Sequence, residues 1–432
     1  MYSFLKERLE ERILENNPVR IAVVGAGFMG RSVFYQLNHT NGIRLVAFAS
    51  RRMSSIEEIL SEAQGILYTV CKSAEDVHKA LKSQAIPCFE DIALIPYSNP
   101  ELIIDLTRNI ECGIQLAQIA IDYGIHFMAG AEFDAVLGPL YAQKAKEKSL
   151  VYTNISGDEP GCIMDLYHYA DLAGFHVVAL GKFKGFINPY STPESVLPWV
   201  TPYSNPWLIS SAADGTKMSI EMAIVANATG FVPDIKGMHC PKVSLSDVAK
   251  ILSIEKDGGN LSQERVVEVV SGAEPSGGVF AVVSGPTRFF ETDLKINKMG
   301  DGPNYLLYTP YHMPSIEILF SILRAVLLKN PTIMPCGDPV ADVIVHAKRD
   351  LQEGEILDEI GGYTYYGVIQ KAKIARQEKA LNLGLAKGAR VNRALLKDEP
   401  IFMQDVTLDE STSIYEHLDY FTKISNNLNT EE

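Results

Sequence analysis

Several features are scarce in this chain, and each scarcity excludes something. Six cysteines are spread over 432 residues, at Cys71, Cys88, Cys112, Cys162, Cys240 and Cys336, and no two form a Cys-x-x-Cys pair. That pattern argues against a disulfide framework or a zinc site and fits reduced thiols. Cys162 follows a glycine-rich turn, where a nucleophile could stand; a buried thiol is the plainer reading. No apolar run reaches the roughly 18 residues of a membrane span. The N-terminus lacks the apolar core of roughly 7–15 residues that marks a signal peptide. Positive charge is also short, with 39 Lys and Arg against 53 Asp and Glu, a net charge of −14. A nucleic acid or an anionic membrane is therefore not expected as partner, although a local basic pocket for an anionic ligand remains compatible. These absences point to a cytoplasmic protein with a small-molecule substrate. No internal repeat or low-complexity tract appears, and the polar tail after Ser425 is expected to be disordered.

What is present is ordinary globular material. Hydrophobic residues make up 47% of the chain, enough for several cores, and the length suggests two to four domains at roughly 100–200 residues each. Tyr2, Leu5, Leu9 and Ile13 fall at helical spacing, so 1–18 reads as an amphipathic helix ended by Asn17-Pro18. Apolar strand patterns at 20–24, 43–50, 103–106 and 125–129 alternate with helical stretches at 31–39 and 114–123. Such alternation implies an α/β domain with a Rossmann-type, doubly wound parallel sheet over 19–150. From 151 to 330 the texture shifts to Gly, Pro and Tyr-rich loops, with one clear helix at 216–228, strands at 266–270 and 279–284, and a last helix at 314–328. This reads as a central α+β catalytic domain whose last helix returns to the first domain. Residues 331–432 read as a small β-rich module, with strands at 343–345, 356–357 and 363–369 and a tail strand at Ile401-Phe402.

The most informative local signal is Gly25-Ala26-Gly27-Phe28-Met29-Gly30, which follows a strand and opens a helix. Gly25 permits the tight turn, Gly27 lets backbone approach a pyrophosphate, and Gly30 allows close helix–strand packing, while the helix N-terminus faces the negative charge. Phe28 and Met29 lie in the same turn. The reading is a nicotinamide dinucleotide site. At the end of the second strand an NAD site usually carries Asp or Glu, but this chain has Ser50-Arg51-Arg52. A hydroxyl and two guanidiniums suit a 2′-phosphate, so NADP is expected, with NAD the alternative.

Hydride chemistry at a carbinol carbon needs a proton carrier and a partner for the developing oxyanion. On the helix at 216–228, Lys217 and Glu221 are i,i+4 neighbours, with Asp214 one turn earlier. The helix is otherwise apolar, which suggests burial and makes Lys217 the expected proton carrier, oriented by Asp214 and Glu221. An exposed ion pair is the bland alternative. Lys182 follows a strand and is expected to hold an oxyanion or an anionic substituent. Asp158 and Glu159, in a tight loop at 157–161, are candidates for substrate hydroxyls or for a divalent cation. Asn227 and His312 are further substrate-binding candidates.

These residues together resemble a known family. Asn17-Pro18-Val19-Arg20, Gly25-Ala26-Gly27, Gly157-Asp158-Glu159-Pro160, Gly181-Lys182, Asp214-Gly215-Thr216-Lys217, Asn227-Ala228-Thr229-Gly230 and Pro310-Tyr311-His312 resemble the homoserine-dehydrogenase-like oxidoreductases. Within them the chain is most similar to the deoxyxylulose-phosphate-reductoisomerase-like (DRL) branch. Ala347-Lys348-Arg349-Asp350-Leu351, Gly361-Gly362-Tyr363-Thr364 and Gly384-Leu385-Ala386 resemble an SAF-type domain. The resemblance implies a Rossmann domain, a central catalytic and dimerisation domain, an SAF-like C-terminal domain, and a homodimer or homotetramer. It also implies NADPH-dependent isomerisation and reduction of 1-deoxy-xylulose 5-phosphate, with Lys182 and Lys217 as phosphate or oxyanion partners and Asp158 and Glu159 at a metal. Two features depart from the pattern. Homoserine dehydrogenases carry Thr-Ala-Asn-Lys where this chain has Ala129-Gly130-Ala131-Glu132, and the Ser-Glu metal motif of ordinary reductoisomerases is not plainly present. A homoserine dehydrogenase and a non-catalytic dinucleotide-binding sensor are the remaining alternatives.

Overall fold

In the computed structural model, residues 2–63, 65–201, 204–272 and 274–423 are described. The expected tail after Ser425 lies outside them. The chain divides into two units, one of residues 1–157 with 313–334 and the other of 158–312 with 335–432.

The first unit starts with helix α1 (Tyr2–Leu14) and then alternates strand and helix. Its strands are β1 (Val19–Val24), β2 (Ile43–Ala49), β3 (Tyr68–Val70), β4 (Ile86–Phe89), β5 (Leu102–Asp105), β6 (His126–Met128) and β7 (Tyr152–Thr153). Helices α2 (Phe28–Asn38), α3 (Met53–Glu62), α4 (Ala74–Lys82), α5 (Ile110–Tyr123) and α6 (Ala131–Glu147) connect them. The seven strands lie in the order β3-β4-β2-β1-β5-β6-β7, with every pairing parallel. Crossovers leave β1 toward β2 on one side while β5 lies on the other, so the order reverses beside β1. In open α/β sheets a ligand crevice forms at that reversal, past the strand C-termini.

Local chemistry explains these elements. Buried parallel strands read as continuous apolar runs, and β1, Val-Arg-Ile-Ala-Val-Val, is one. Ser73 Oγ caps α4 by accepting the Asp76 N–H, and Asn109 Oδ1 caps α5 by accepting the Cys112 N–H at 2.8 Å. The core joins Ile21, Val23, Phe34, Phe48 and Ile104 to Ile318 and Ile322 of the last helix of the unit, Pro314–Leu328. The Tyr2 ring of α1 packs at a tilt of 47° against Phe320 of that helix, with ring centroids 4.7 Å apart. Each such buried side chain contributes on the order of 1.5–3 kcal/mol.

The second unit contains a five-stranded sheet formed by β8 (His176–Lys184), β9 (Val232–Pro233), β10 (Val266–Ser271), β11 (Val279–Ser284) and β12 (Asn304–Thr309). Its order is β12-β11-β8-β10-β9, with β8 central, parallel to β10 and antiparallel to β11. Helices α7 (Glu159–Leu172), α8 (Pro206–Ala213) and α9 (Thr216–Thr229) belong to this unit. A hairpin follows, with Ala341–Ala347 pairing antiparallel with Tyr365–Lys371.

Three sequence expectations fail here for physical reasons. The 157–161 segment is not a simple loop, because Glu159 opens α7, and Pro160 sits in the first turn, where its missing N–H costs nothing. Neither Ile356-Leu357 nor Ile401-Phe402 is a strand: Ile356 makes one isolated bridge to Arg390 and Phe402 one to Ala380, while the Ile401 N–H donates to the Val345 carbonyl at 3.0 Å. An apolar pair meets the β pattern but is too short to extend a ladder.

Candidate active site

The first unit supplies a turn shaped for a dinucleotide. Gly25 has φ +113°, and a Cβ there would lie 2.8 Å from the Leu106 carbonyl carbon. A side chain at Gly30 would overlap the Gly25 carbonyl oxygen, whereas one at Gly27 would meet nothing within 4 Å. So two glycines are required by packing, and the third faces open space at the start of α2. Gly27 is the N-cap of α2 and offers no side-chain cap, leaving the first-turn N–H groups available to an anion. The residues present fit a pyrophosphate. Phe28 is exposed, and Met29 Sδ accepts the Ser315 hydroxyl at 3.3 Å.

Ser50 follows β2, and Arg51 and Arg52 extend into solvent, with Arg52 as N-cap of α3. Sequence reasoning missed Glu90, at the end of the neighbouring β4, whose Oε1 accepts the Met53 N–H at 2.7 Å. Glu132 is buried and ion-paired with Arg108 at 2.7 Å.

The second unit holds a cluster of two lysines and two glutamates. Lys182, at 1% exposure, projects from central β8. Its ammonium donates to Glu159 Oε1 on α7 at 2.5 Å and to Glu221 Oε2 on α9 at 2.5 Å. Lys217, one turn before Glu221 on α9, donates to Glu221 Oε1 and to Glu159 Oε2, the latter at 3.3 Å. Two ammoniums and two carboxylates thus alternate around a square. Lys217 is the reachable cation, its side chain being 27% exposed against 2% for Lys182. His312 joins the rim, with Nε2 3.8 Å from Glu159 Oε2 and Nδ1 2.7 Å from the Gly277 carbonyl oxygen.

The electrostatics follow from that arrangement. Burial opposes the charge of Glu159, but the Lys182 and Lys217 ammoniums outweigh it and hold the carboxyl well below its usual value. Burial, reinforced by the Glu159 charge, pushes Glu221 up. Lys217 is held well above the usual amine value, because Glu159 and Glu221 overcome its desolvation. Burial pushes the Asp158 carboxyl up against the pull of Lys217. Separating two carboxylates in this way is how sites assign different proton roles to one residue type.

Several expected partners are elsewhere. Asp214 does not orient Lys217. Its Oδ2 takes the Lys348 ammonium at 2.7 Å, and its Oδ1 takes the Thr216 N–H at 2.8 Å. Asn227 is not free for substrate. Its amide oxygen accepts the Val340 and Ala341 N–H groups, and its amide nitrogen donates to the Ala341 carbonyl. Lys182 reaches only carboxylates, so it acts as an inner strut rather than an oxyanion partner. Glu159, expected beside a metal or hydroxyls, is the hub of the square. Asp158, Glu159 and His312 do bring ligand atoms within 4.8 Å of one another, but Glu159 is already neutralised by two ammoniums.

Residues 157–318 match the family model described as oxidoreductase DRL, catalytic domain. No curated protein matches the sequence. Among solved structures, a probable dehydrogenase from Thermotoga maritima is similar at 14% identity and TM-score 0.42, covering 74% of this chain and 91% of its own. A 3-ketoreductase from Actinomadura kijaniata, solved with NADP, is similar at 12% identity and TM-score 0.39, covering 72% of this chain and 90% of its own. A putative myo-inositol dehydrogenase from Sinorhizobium meliloti 1021 is similar at 12% identity and TM-score 0.38, covering 72% and 89%. With an oxidoreductase catalytic domain matched over the lysine–glutamate square and a dinucleotide turn before β1's neighbouring helix, the chain is an NAD(P)-dependent oxidoreductase.

Proposed function

We propose that the chain uses NADP(H) to interconvert a carbonyl and a hydroxyl on a small, polar, phosphorylated sugar-like substrate, with Lys217 as the proton carrier. The observation that carries this reading is the Lys217 ammonium, fixed between Glu159 and Glu221 on a side chain that stays 27% exposed. The dinucleotide supplies hydride when bound. This chain's residues supply the rest. Lys217 is held protonated, so its charge faces the carbonyl oxygen as negative charge develops there. An alkoxide is a far stronger base than even a raised lysine amine, so the proton passes from Nζ to that oxygen. In the reverse direction, the amine formed accepts it. Lys182 stays between the two glutamates throughout and keeps them in place.

Arg51 and Arg52 support NADP over NAD, since two exposed guanidiniums beside an N-terminal helix turn suit a 2′-phosphate. The Lys217 ammonium takes the cationic role, so we read no metal into the mechanism, and turnover is expected to survive a chelator. The DRL resemblance supports 1-deoxy-xylulose 5-phosphate as a substrate to assay first, with 331–432 as an SAF-type module. Glu132, paired with Arg108 where homoserine dehydrogenases carry lysine, speaks against homoserine. A sensor without chemistry would have no use for a half-open ammonium between two buried carboxylates.

The test follows reduced-cofactor absorbance across sugar phosphates, polyols and amino-acid alcohols. Lys217→Met is expected to abolish turnover while NADPH affinity stays nearly intact. Turnover persisting within about threefold, well under 1 kcal/mol of barrier, rules the assignment out.

A further inference from the structure

The ion-pair square leaves one neighbouring charge unanswered. Lys184 stands two residues beyond Lys182 on β8, so the pleat turns both side chains to the same face of the sheet. It is half-buried, and among the described residues its ammonium makes no ion pair and no hydrogen bond. The charges it senses are those of Lys182, Glu221, Lys217 and Glu159. Burial and the nearby Lys182 ammonium push its amine down to about 8, as expected of a cation without a counter-charge.

The carboxylates near it are already engaged: the ion pairs of Glu159 and Glu221 go to Lys182 and Lys217. The N-termini of α7 and α9 carry no side-chain cap bond: Asp158 makes none, and Gly215 has no side chain to make one. Their partial positive charges favour an anion nearby. A half-buried ammonium without a partner is costly, and a ligand oxyanion removes that cost.

We propose that Lys184 anchors an oxyanionic substituent, a phosphate or a carboxylate, on the substrate handled at Lys217. This rests on the oxidoreductase reading of the cluster and assigns a residue to the anionic group of its substrate. Lys184 is then a binding residue, distinct from the proton carrier.

The experiment is calorimetric titration of the full chain with inorganic phosphate and, separately, with acetate. The proteins are wild type, Lys184→Gln and Lys184→Arg. The expected result is saturable binding of at least one anion by wild type, weakened at least tenfold in Lys184→Gln and kept within about threefold in Lys184→Arg. Phosphate binding without acetate binding assigns a phosphate ester, and the reverse assigns a carboxylate. Binding of both keeps the shared oxyanion chemistry. Absence of binding to wild type, or equal binding by Lys184→Gln, overturns the proposal. NADPH titration of the same proteins separates the two readings: anion binding that needs Lys184, with no NADPH binding, keeps the anchor and removes the oxidoreductase mechanism.

Discussion

The second unit contains two buried lysine–carboxylate assemblies, and they are built on opposite principles. Around Lys348 every bond is filled: its ammonium donates to Asp214 Oδ2, the Ser191 carbonyl and the Gly362 carbonyl, at 2.7, 2.8 and 2.7 Å. Three donors meet three acceptors, no side faces solvent, and three distant chain segments are held together. Around Lys217 the hydrogen bonds stop at two, and its side chain remains 27% exposed. A saturated ion pair holds structure, because nothing further can approach it. An unsaturated one can exchange a proton with a substrate. Both sets appear in the sequence as a lysine near an acid, and only the count of partners separates them.

That contrast can be broken most directly at its open end. Lys217→Met is expected to lower kcat on the order of 10³-fold or more, about 4 kcal/mol in the barrier, and to cost less in a urea melt than Lys348→Met, because Lys182 still meets both carboxylates. Lys348→Met should do the reverse. Removing one partner of a buried pair leaves Asp214 uncompensated, at a cost of about 3–5 kcal/mol, and urea unfolding should show it while turnover per folded molecule holds. Adding Asp214→Leu to Lys348→Met should return part of that loss. A catalytic collapse in folded Lys348→Met would erase the distinction between the two assemblies.

The first unit offers the same comparison between carboxylates. Asp134 accepts from Tyr152 Oη at 2.6 Å and from Asn154 Nδ2 at 2.8 Å, whereas Asp105 Oδ2 has no hydrogen-bond partner. Burial pushes both up to about 6. A carboxyl whose folded value lies above its unfolded value binds more protons when folded. The contribution of these two groups to stability is therefore full below about pH 3.8, falls as pH rises toward about 6, and is flat above, a loss on the order of 3 kcal/mol per group. Denaturant melts across this range should show the slope, and Asp105→Asn should remove about half of it. The smallest effect is expected at Asn227. Asn227→Ala breaks the amide stitches to 340–341 and should cost about 1–3 kcal/mol in a thermal melt, with kcat unchanged.

Much of the fold was legible along the chain. Alternating apolar strands and helices foretold the parallel sheet, and the helix at 314–328 matches its observed bounds. The glycine turn was readable because its three glycines serve three local needs, two of which the packing around Gly25 and Gly30 shows. α7 was legible in principle, since a proline in the first turn after an acidic residue marks a helix start, but the glycines on either side read as a loop.

What the sequence alone determined were the features governed by neighbours in the chain: the period of apolar residues, the turn chemistry and the i,i+4 pair of Lys217 with Glu221. Tertiary structure alone decided which acid each lysine meets. Glu159 reaches Lys217 across 58 positions, and Lys348 claims Asp214 across 134. An ionic partner is set by distance in space and by which groups burial leaves without water, and neither is written in the spacing of residues along the chain.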